Sequence, residues 1–224
     1  MSENTHRRLI EPNARLFAIL STVAVSIGGL VEILPMYSSA VGPEHMDEVK
    51  PYSPLELAGR DLYLREGCYN CHSQMIRPSQ AETLRYGPWT RAGEYQWDHP
   101  FHLGSRRIGP DLQRVGGKYP DAWQFDHMKD PRAMTPGSIM PAYTWLYDAK
   151  VSTSDIVDSV SGMITLGVPY DANPAGWVPA QVETQQKSIV ESLAAVKRVA
   201  APDDEIIALI AYLQRLGVDG KAAI

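Results

Sequence analysis

Two cysteines three positions apart, with a histidine directly after the second, are the feature that most restricts this 224-residue chain. They lie in residues 68–72, CYNCH, and the sequence contains no other cysteine. A disulfide at this spacing is typical of redox motifs in a βαβ unit, and no such pattern follows here. A zinc site would need two more ligands at metal-binding spacing. The motif therefore favours covalent attachment of one haem c through Cys68 and Cys71, with His72 as an axial ligand of the iron.

A long apolar run, residues 16–37, precedes this motif and holds one charged side chain, Glu32. At about 1.5 Å per residue, a helix of about 22 residues crosses a hydrocarbon core of about 30 Å. The alternative is a cleaved signal peptide, because arginines precede the run and residues 38–40, SSA, resemble a cleavage site. The run is longer than a usual signal core, so we favour a retained transmembrane helix in contact with membrane lipid. Glu32 either reaches the interface or contacts a partner helix or an ion.

The distribution of charge predicts the direction of this helix. Three arginines precede it, Arg7, Arg8 and Arg15, whereas mostly acidic residues follow it. The positive-inside rule places a tail, 1–15, in the cytoplasm and the main domain in the periplasm, outside a bacterial inner membrane. Bacterial c-type haems are attached on that side. A linker, 38–52, would lead to a periplasmic domain at 53–224, and the net charge of −5 argues against nucleic acid.

Helical patterns dominate the part of the chain after the linker. Ser53 can cap a helix that has Pro54 in its first turn, and this helix runs directly into the cysteine motif. A second amphipathic helix begins near Pro202 and ends at Gly217, and residues at about 180–199 also form a helical region. No alternating run is long enough to indicate a sheet, so the predicted fold class is mainly α.

A methionine is the expected second axial ligand, because a thioether and an imidazole together hold low-spin haem iron. Met140 stands in a loop punctuated by Gly and Pro, residues 137–143, GSIMPAY, which can carry a side chain inward. Met75 lies too near His72 to reach the opposite haem face. The remaining candidates are methionines that more often serve in packing, and three histidines: Met128, Met134, Met163, His99, His102 and His127.

Two further groups of side chains are candidates for the surroundings of the haem. Arg106 and Arg107 either neutralise the haem propionates or form a solvated surface pair. Three tryptophans are expected to form the pocket wall and core, with their N–H groups bonded nearby: Trp89, Trp97 and Trp145.

The order of these features resembles class I cytochrome c. A helix leads into the cysteine motif, a Gly-Pro-Asp-Leu turn follows at 109–112, and a distal methionine and a closing amphipathic helix complete the pattern. The resemblance implies a class I cytochrome c-like helical domain with an inserted segment at 150–200. It also implies that Gly59 lies where the first and last helices cross, against Tyr212, because glycine permits close approach.

The same resemblance assigns the residues around the iron. The carbonyl of Pro110 would accept a hydrogen bond from the second imidazole nitrogen of His72, which fixes the tautomer of the ligand. The Met-Pro-Ala-Tyr string at 140–143 matches the distal loop of the family, which makes Met140 the implied sixth ligand.

Several longer strings resemble one family in particular, the monohaem subunit (subunit II) of the cbb3-type cytochrome c oxidases. The strings are 29–35 GLVEILP, 65–78 REGCYNCHSQMIRP, 85–87 RYG, 98–101 DHPF, 104–112 GSRRIGPDL, 114–119 RVGGKY and 139–143 IMPAY. In that family the subunit takes electrons from a dihaem cytochrome c subunit. It passes them to haem b of the catalytic subunit, which reduces oxygen at a haem–copper centre. The resemblance implies an electron-transferring subunit with no oxygen-reducing site and no small-molecule substrate of its own.

Two other functions remain as alternatives. The small cytochrome subunit of a nitric oxide reductase also has one anchor and one haem, but it is shorter and does not explain residues 150–200. A free membrane-tethered shuttle would need a longer flexible tether than the linker offers. A dinuclear copper site, which some oxidase subunits carry, needs more widely spaced cysteines, so we predict no copper in this chain.

Overall fold

The structure is a computed structural model that describes residues 6, 10–37 and 44–222. Arg7 and Arg8, the candidate cleavage site at 38–40 and the first part of the predicted linker, up to residue 43, lie outside these residues. The chain divides into two compact units, residues 1–44 and residues 45–224.

Helices account for the regular structure of the described residues. The α-helices are α1 Ala14–Ile33, α2 Pro54–Arg65, α3 Gln80–Tyr86, α4 Asp121–Lys129, α5 Pro131–Met134, α6 Thr153–Thr165, α7 Val178–Ala195, α8 Glu205–Arg215 and α9 Val218–Ala222. Short 3₁₀ turns cover Leu34–Tyr37, Cys68–Asn70, Ala92–Tyr95, Thr144–Tyr147 and Pro174–Gly176. Across the described residues there is no strand, only an isolated antiparallel bridge between Lys150 and Asp204. The predicted mainly α fold class is confirmed.

The first unit contains the apolar helix α1. Asn13 caps it by accepting a hydrogen bond from the Leu16 backbone N–H, and a 3₁₀ turn that contains Pro35 follows its end. With 20 residues and a mean hydropathy of 2.1, α1 is long and apolar enough to cross a membrane, and no part of it is buried within the protein. The helix begins two residues before the predicted run, because apolar character alone does not locate a polar cap.

The core of the second unit forms where α2 and α8 cross. A Cβ atom placed on Gly59 would overlap the backbone carbonyl of Ala208 and lie 2.8 Å from Cβ of Tyr212. The two helices therefore touch backbone to backbone at a point where only glycine fits. This crossing confirms the contact expected between Gly59 and the last helix.

The caps of α2 and α8 lie close to the predicted places. Ser53 and Glu56 form a capping box at the start of α2, with the Ser53 N–H donating to the Glu56 carboxylate at 2.7 Å. Helix α8 begins after Asp204, and its apolar residues are all buried: Ile206, Ile207, Leu209, Ile210 and Leu213.

The segment at 150–200 adds two helices, α6 and α7, to this core. Both pack against α2 and against each other, and α7 also contacts α8. The buried face of α6 is formed by Ile156, Val160 and Met163. The predicted helix at about 180–199 is confirmed as α7, although it begins and ends a few residues earlier.

Residues 46–50, at the start of the second unit, are hydrogen-bonded to the domain. The Gln96 amide accepts from the Met46 N–H at 3.0 Å and donates to the Met46 and Val49 carbonyls at 2.8 and 3.0 Å. The indole N–H of Trp97 also donates to the Val49 carbonyl, at 2.9 Å. Met46 is buried, so this part of the predicted linker belongs to the folded domain.

Two buried ion pairs fix the long irregular segment between α3 and α4. Nε of Arg60 lies 3.0 Å from a carboxylate oxygen of Asp98, and Nη2 of Arg114 donates to Glu94 at 2.7 Å. All four side chains are at most 6% exposed. Because this segment has little regular backbone bonding, these side chains supply the contacts that hold its path.

Candidate haem-binding site

The cysteine motif forms a tight turn directly after α2. Gly67 has φ of 69°, in the left-handed region, and starts the 3₁₀ turn Cys68–Asn70. The backbone N–H groups of Cys71 and His72 both donate to the Cys68 carbonyl, at 3.1 and 3.0 Å. Both cysteines are free and half-buried, so one turn presents two thiols and an imidazole together.

The imidazole of His72 is held by the loop 104–112. Nδ1 of His72 lies 2.8 Å from the carbonyl oxygen of Pro110. A carbonyl can only accept, so Nδ1 carries the proton. Burial lowers the pKa of His72, although the Pro110 carbonyl acts in the opposite direction. The ring is therefore neutral at pH 7, and its Nε2 lone pair is available to a metal ion.

Two glycines allow this loop to approach the motif, and only one was singled out from the sequence. A Cβ on Gly109 would lie 2.7 Å from Nδ1 of His72, and one on Gly104 would lie 2.6 Å from the Tyr69 carbonyl. The Gly109 N–H donates to the Cys71 carbonyl at 3.0 Å. The positive φ of Gly104, 62°, gives no signal in the sequence beyond the glycine itself.

The loop that carries Met140 lies beside the cysteines. Cys68, Met140 and Tyr143 are all partly buried against the same hydrophobic core. The Tyr143 N–H donates to the Met128 carbonyl at 2.9 Å, which joins this loop to α4. Burial, and then the charges of Cys68 and Cys71, raise the pKa of Tyr143 to about 12. Tyr143 thus borders both thiols, a role that the sequence did not indicate.

The other candidates for the sixth ligand have different surroundings. Met128 and Met163 are buried in the core, and Met75 is half-exposed. The His102 ring contacts the edge of Tyr69, with centroids 3.9 Å apart. His127 stacks on Trp123 instead of packing in the core.

Of the two arginines beside the Gly-Pro turn, Arg107 is occupied by protein groups. Its guanidinium donates to the Ser73 hydroxyl at 2.7 Å and to the Glu82 carboxylate at 2.8 Å. It also lies 3.4 Å from Asp111, so its charge is already balanced by two carboxylates. Arg106 is exposed, as a solvated residue would be.

The three tryptophans differ in burial. Trp97 packs against the core and its N–H is bonded to Val49, as expected. Trp89 and Trp145 are about half exposed, so they do not form the core. The Trp145 N–H donates to Glu66 at 3.1 Å, two residues before the first cysteine.

The residues of the site fit a covalently bound haem. Burial raises the pKa of Cys68 to about 12, so its thiol is protonated at pH 7 and inert by itself. In the described part of the chain, no group of three or more His, Cys, Asp or Glu could hold a metal ion. The site instead offers two thiols for covalent attachment. It also offers a neutral imidazole and a neighbouring thioether, which are the donors that suit haem iron.

Helices α2 and α8 cross at Gly59, and the turn at 68–72 beside them presents two thiols and an imidazole that is bonded to a carbonyl. This combination defines a domain of the c-type cytochrome class. The family model described as "Cytochrome C oxidase, mono-heme subunit/FixO" matches residues 6–219. The chain belongs to this family, and it is therefore a subunit of cytochrome c oxidase, an oxidoreductase complex. The resemblance stated from the sequence strings is confirmed. The comparison with curated proteins gives no match.

Proposed function

We propose that this chain carries one haem c, bound through Cys68 and Cys71, and relays electrons within a cbb3-type oxidase. His72 and Met140 would be the axial ligands of the iron. The observation that carries the proposal is the hydrogen bond between His72 Nδ1 and the Pro110 carbonyl, because it leaves Nε2 as the metal-binding nitrogen. The haem would supply a one-electron iron couple.

The protein groups have positioning roles in this proposal. Cys68 and Cys71 in the turn at 68–72 would hold the haem, and the Pro110 carbonyl would make the imidazole a more basic ligand. The loop at 137–143 would bring the thioether to the second face, where Met/His ligation raises the potential. No nucleophile or general acid is needed, since no bond to a substrate is made.

Within the complex, electrons would enter from a dihaem cytochrome c subunit and leave to haem b of the catalytic subunit. Helix α1 would anchor the chain in the inner membrane with its N-terminus in the cytoplasm and the domain in the periplasm. Residues 46–50 are bonded to the domain, so the tether is shorter than the predicted linker, 38–52. A tether this short favours a fixed electron relay within a complex over a free shuttle.

Purification from detergent tests the proposal. We expect a stable complex in which haem c co-purifies with haem b and copper. In the double variant Cys68→Ser/Cys71→Ser, haem should no longer be covalently retained on this chain in a denaturing gel. A lone red protein without haem b, or a wild-type chain without covalent haem, would contradict it.

The ligand assignment has its own test in Met140→Ala. Loss of the thioether should leave the haem attached but lower its midpoint potential, because Met/His ligation favours the ferrous state. Spectroelectrochemistry and the sulfur–iron absorption band measure this directly. Met75→Ala, at a half-exposed methionine, is the control and should keep both. An unchanged potential and an intact band in Met140→Ala would reject Met140 as the ligand.

A further inference from the structure

One ring nitrogen near the site is buried without a hydrogen-bond partner. Nδ1 of His127, on α4, has no partner among the described residues. Buried polar atoms are nearly always hydrogen-bonded, because leaving one unsatisfied forfeits its hydration without compensation. The nitrogen therefore indicates a polar group that belongs at this position.

Helix α4 places His127 beside the proposed haem site. The next residue, Met128, accepts the backbone hydrogen bond from Tyr143, and Tyr143 borders both cysteines. Burial is the main cause that lowers the pKa of His127, and His72 adds to it. His127 thus lies next to the residue whose carbonyl joins α4 to the Met140 loop.

The ring of His127 is held in a defined orientation. It stacks on Trp123 with a centroid distance of 4.6 Å and an interplanar angle of 14°. Trp123 in turn stacks on Tyr119 at 4.0 Å and 16°. Trp123 and His127 are four positions apart on α4, so they share one face of the helix, and Tyr119 lies just before its start. The stack fixes the plane in which the unpartnered nitrogen can donate.

We propose that Nδ1 of His127 donates a hydrogen bond to a haem propionate. This inference rests on the proposed function, since it requires the haem. Apart from its carboxylates, a haem offers an apolar surface, so the propionates are the acceptors that a buried N–H would meet. Arg107, the cation closest in sequence to the Gly-Pro turn, is already engaged by Glu82 and Asp111 and does not take this role.

The hydrogen bond makes His127 a positioning residue that also tunes the potential. A donor withdraws electron density from the carboxylate, which reduces the electrostatic preference for ferric iron. Removal of the donor should therefore lower the midpoint potential of the haem.

Two variants of similar shape test the role of the donor. His127→Asn places an amide N–H close to the position of Nδ1, whereas His127→Leu places a methyl group there. Both are made in the full-length chain within the purified oxidase complex. The readouts are the midpoint potential of haem c and the propionate bending bands in resonance Raman spectra.

We expect His127→Leu to lower the midpoint potential and shift a propionate band, and His127→Asn to restore both towards the wild type. Wild-type values in both variants, with haem attached, would overturn the inference and leave the proposed function intact. A change in the axial-ligand absorption bands of either variant would make His127 an iron ligand, which also overturns it. A wild-type chain without covalent haem would instead reject the proposed function itself.

Discussion

His72 acquires the properties of a metal ligand from its neighbours. Its Nδ1 proton is committed to the Pro110 carbonyl, and burial keeps the ring neutral. The same loop can approach the ring because Gly109 has no side chain. Three residues on two segments, about 40 positions apart, therefore act as one unit.

Gly109→Ala tests this unit at the level of one methyl group. The new Cβ would lie 2.7 Å from Nδ1 of His72, so the ring or the loop must move and the bond to Pro110 is lost. We expect a lower fraction of chains with covalently bound haem, measured by haem staining per unit of protein.

The matched control is Gly162→Ala, in α6, where an added Cβ meets nothing within 4 Å. It should keep the wild-type haem content and stabilise the helix by about 0.5–1 kcal/mol. Equal haem content in both variants would show that the approach of Gly109 to His72 is not needed.

Part of the site could be predicted from the sequence because its residues lie in contiguous strings. The thiols, His72 and the Gly-Pro turn belong to such strings, so a resemblance to a known family assigns the roles of all of them at once. Tyr143 and His127 could not be assigned from sequence, since their importance comes from contacts between α4 and the Met140 loop. A half-buried aromatic residue has no local signal of what it borders.

At the scale of elements, the crossing of α2 and α8 organises the domain. The helices meet at Gly59 and Ala208, and α6 and α7 cover the remaining faces. Caps and apolar spacing predicted both terminal helices. The path between α3 and α4 was not predictable, because its buried charges, such as Asp98 and Glu94, look like surface residues until their arginine partners are known.

Gly59→Ala tests the crossing. Its Cβ would overlap the Ala208 carbonyl, and a backbone atom cannot rotate away as a side chain can. Overpacking of this kind lowers the free energy of unfolding by about 1–3 kcal/mol. Denaturant unfolding of the full-length protein in detergent, followed by circular dichroism, measures the loss. Gly162→Ala serves again as the control, and an unchanged midpoint in Gly59→Ala would refute the close contact.

Glu94→Gln tests the buried ion pair and its dependence on pH. Burial raises the pKa of Glu94, but the hydrogen bonds from Arg114 and Arg91 outweigh it, so the pKa lies below its ordinary 4.5. A depressed carboxyl pKa stabilises the fold above the unfolded value, and this contribution is lost as the pH falls.

The variant should therefore lose about 1–3 kcal/mol at pH 7 and approach the wild type in acid, as measured by denaturant unfolding at pH 7 and pH 4. Glu191→Gln, at an exposed glutamate on α7, is the control. A constant difference between Glu94→Gln and wild type across this range would exclude the ionic contribution.

At the scale of the whole molecule, the chain consists of an apolar helix and a separately compact domain. The core residues of the domain all lie within residues 45–224, and α1 buries none of its own residues. A domain with its own core can fold without α1.

We therefore expect residues 45–224, exported behind a cleavable signal peptide, to fold as a water-soluble protein with one covalent haem. Size-exclusion chromatography and the haem absorption spectrum check this result. Aggregated or haem-free protein, when the full-length chain matures normally in the same cells, would show that the domain depends on α1.

The contact between Gly59 and Ala208 also sets an order of events in biogenesis. The two residues are about 150 positions apart, and at about 5–20 residues per second α8 is made about 7–30 s after the thiols. Until α8 arrives, the domain lacks the partner of α2 and cannot close. The cysteine turn and His72 are therefore made well before α8 can close the domain, which would leave the proposed haem site open to attachment during that interval.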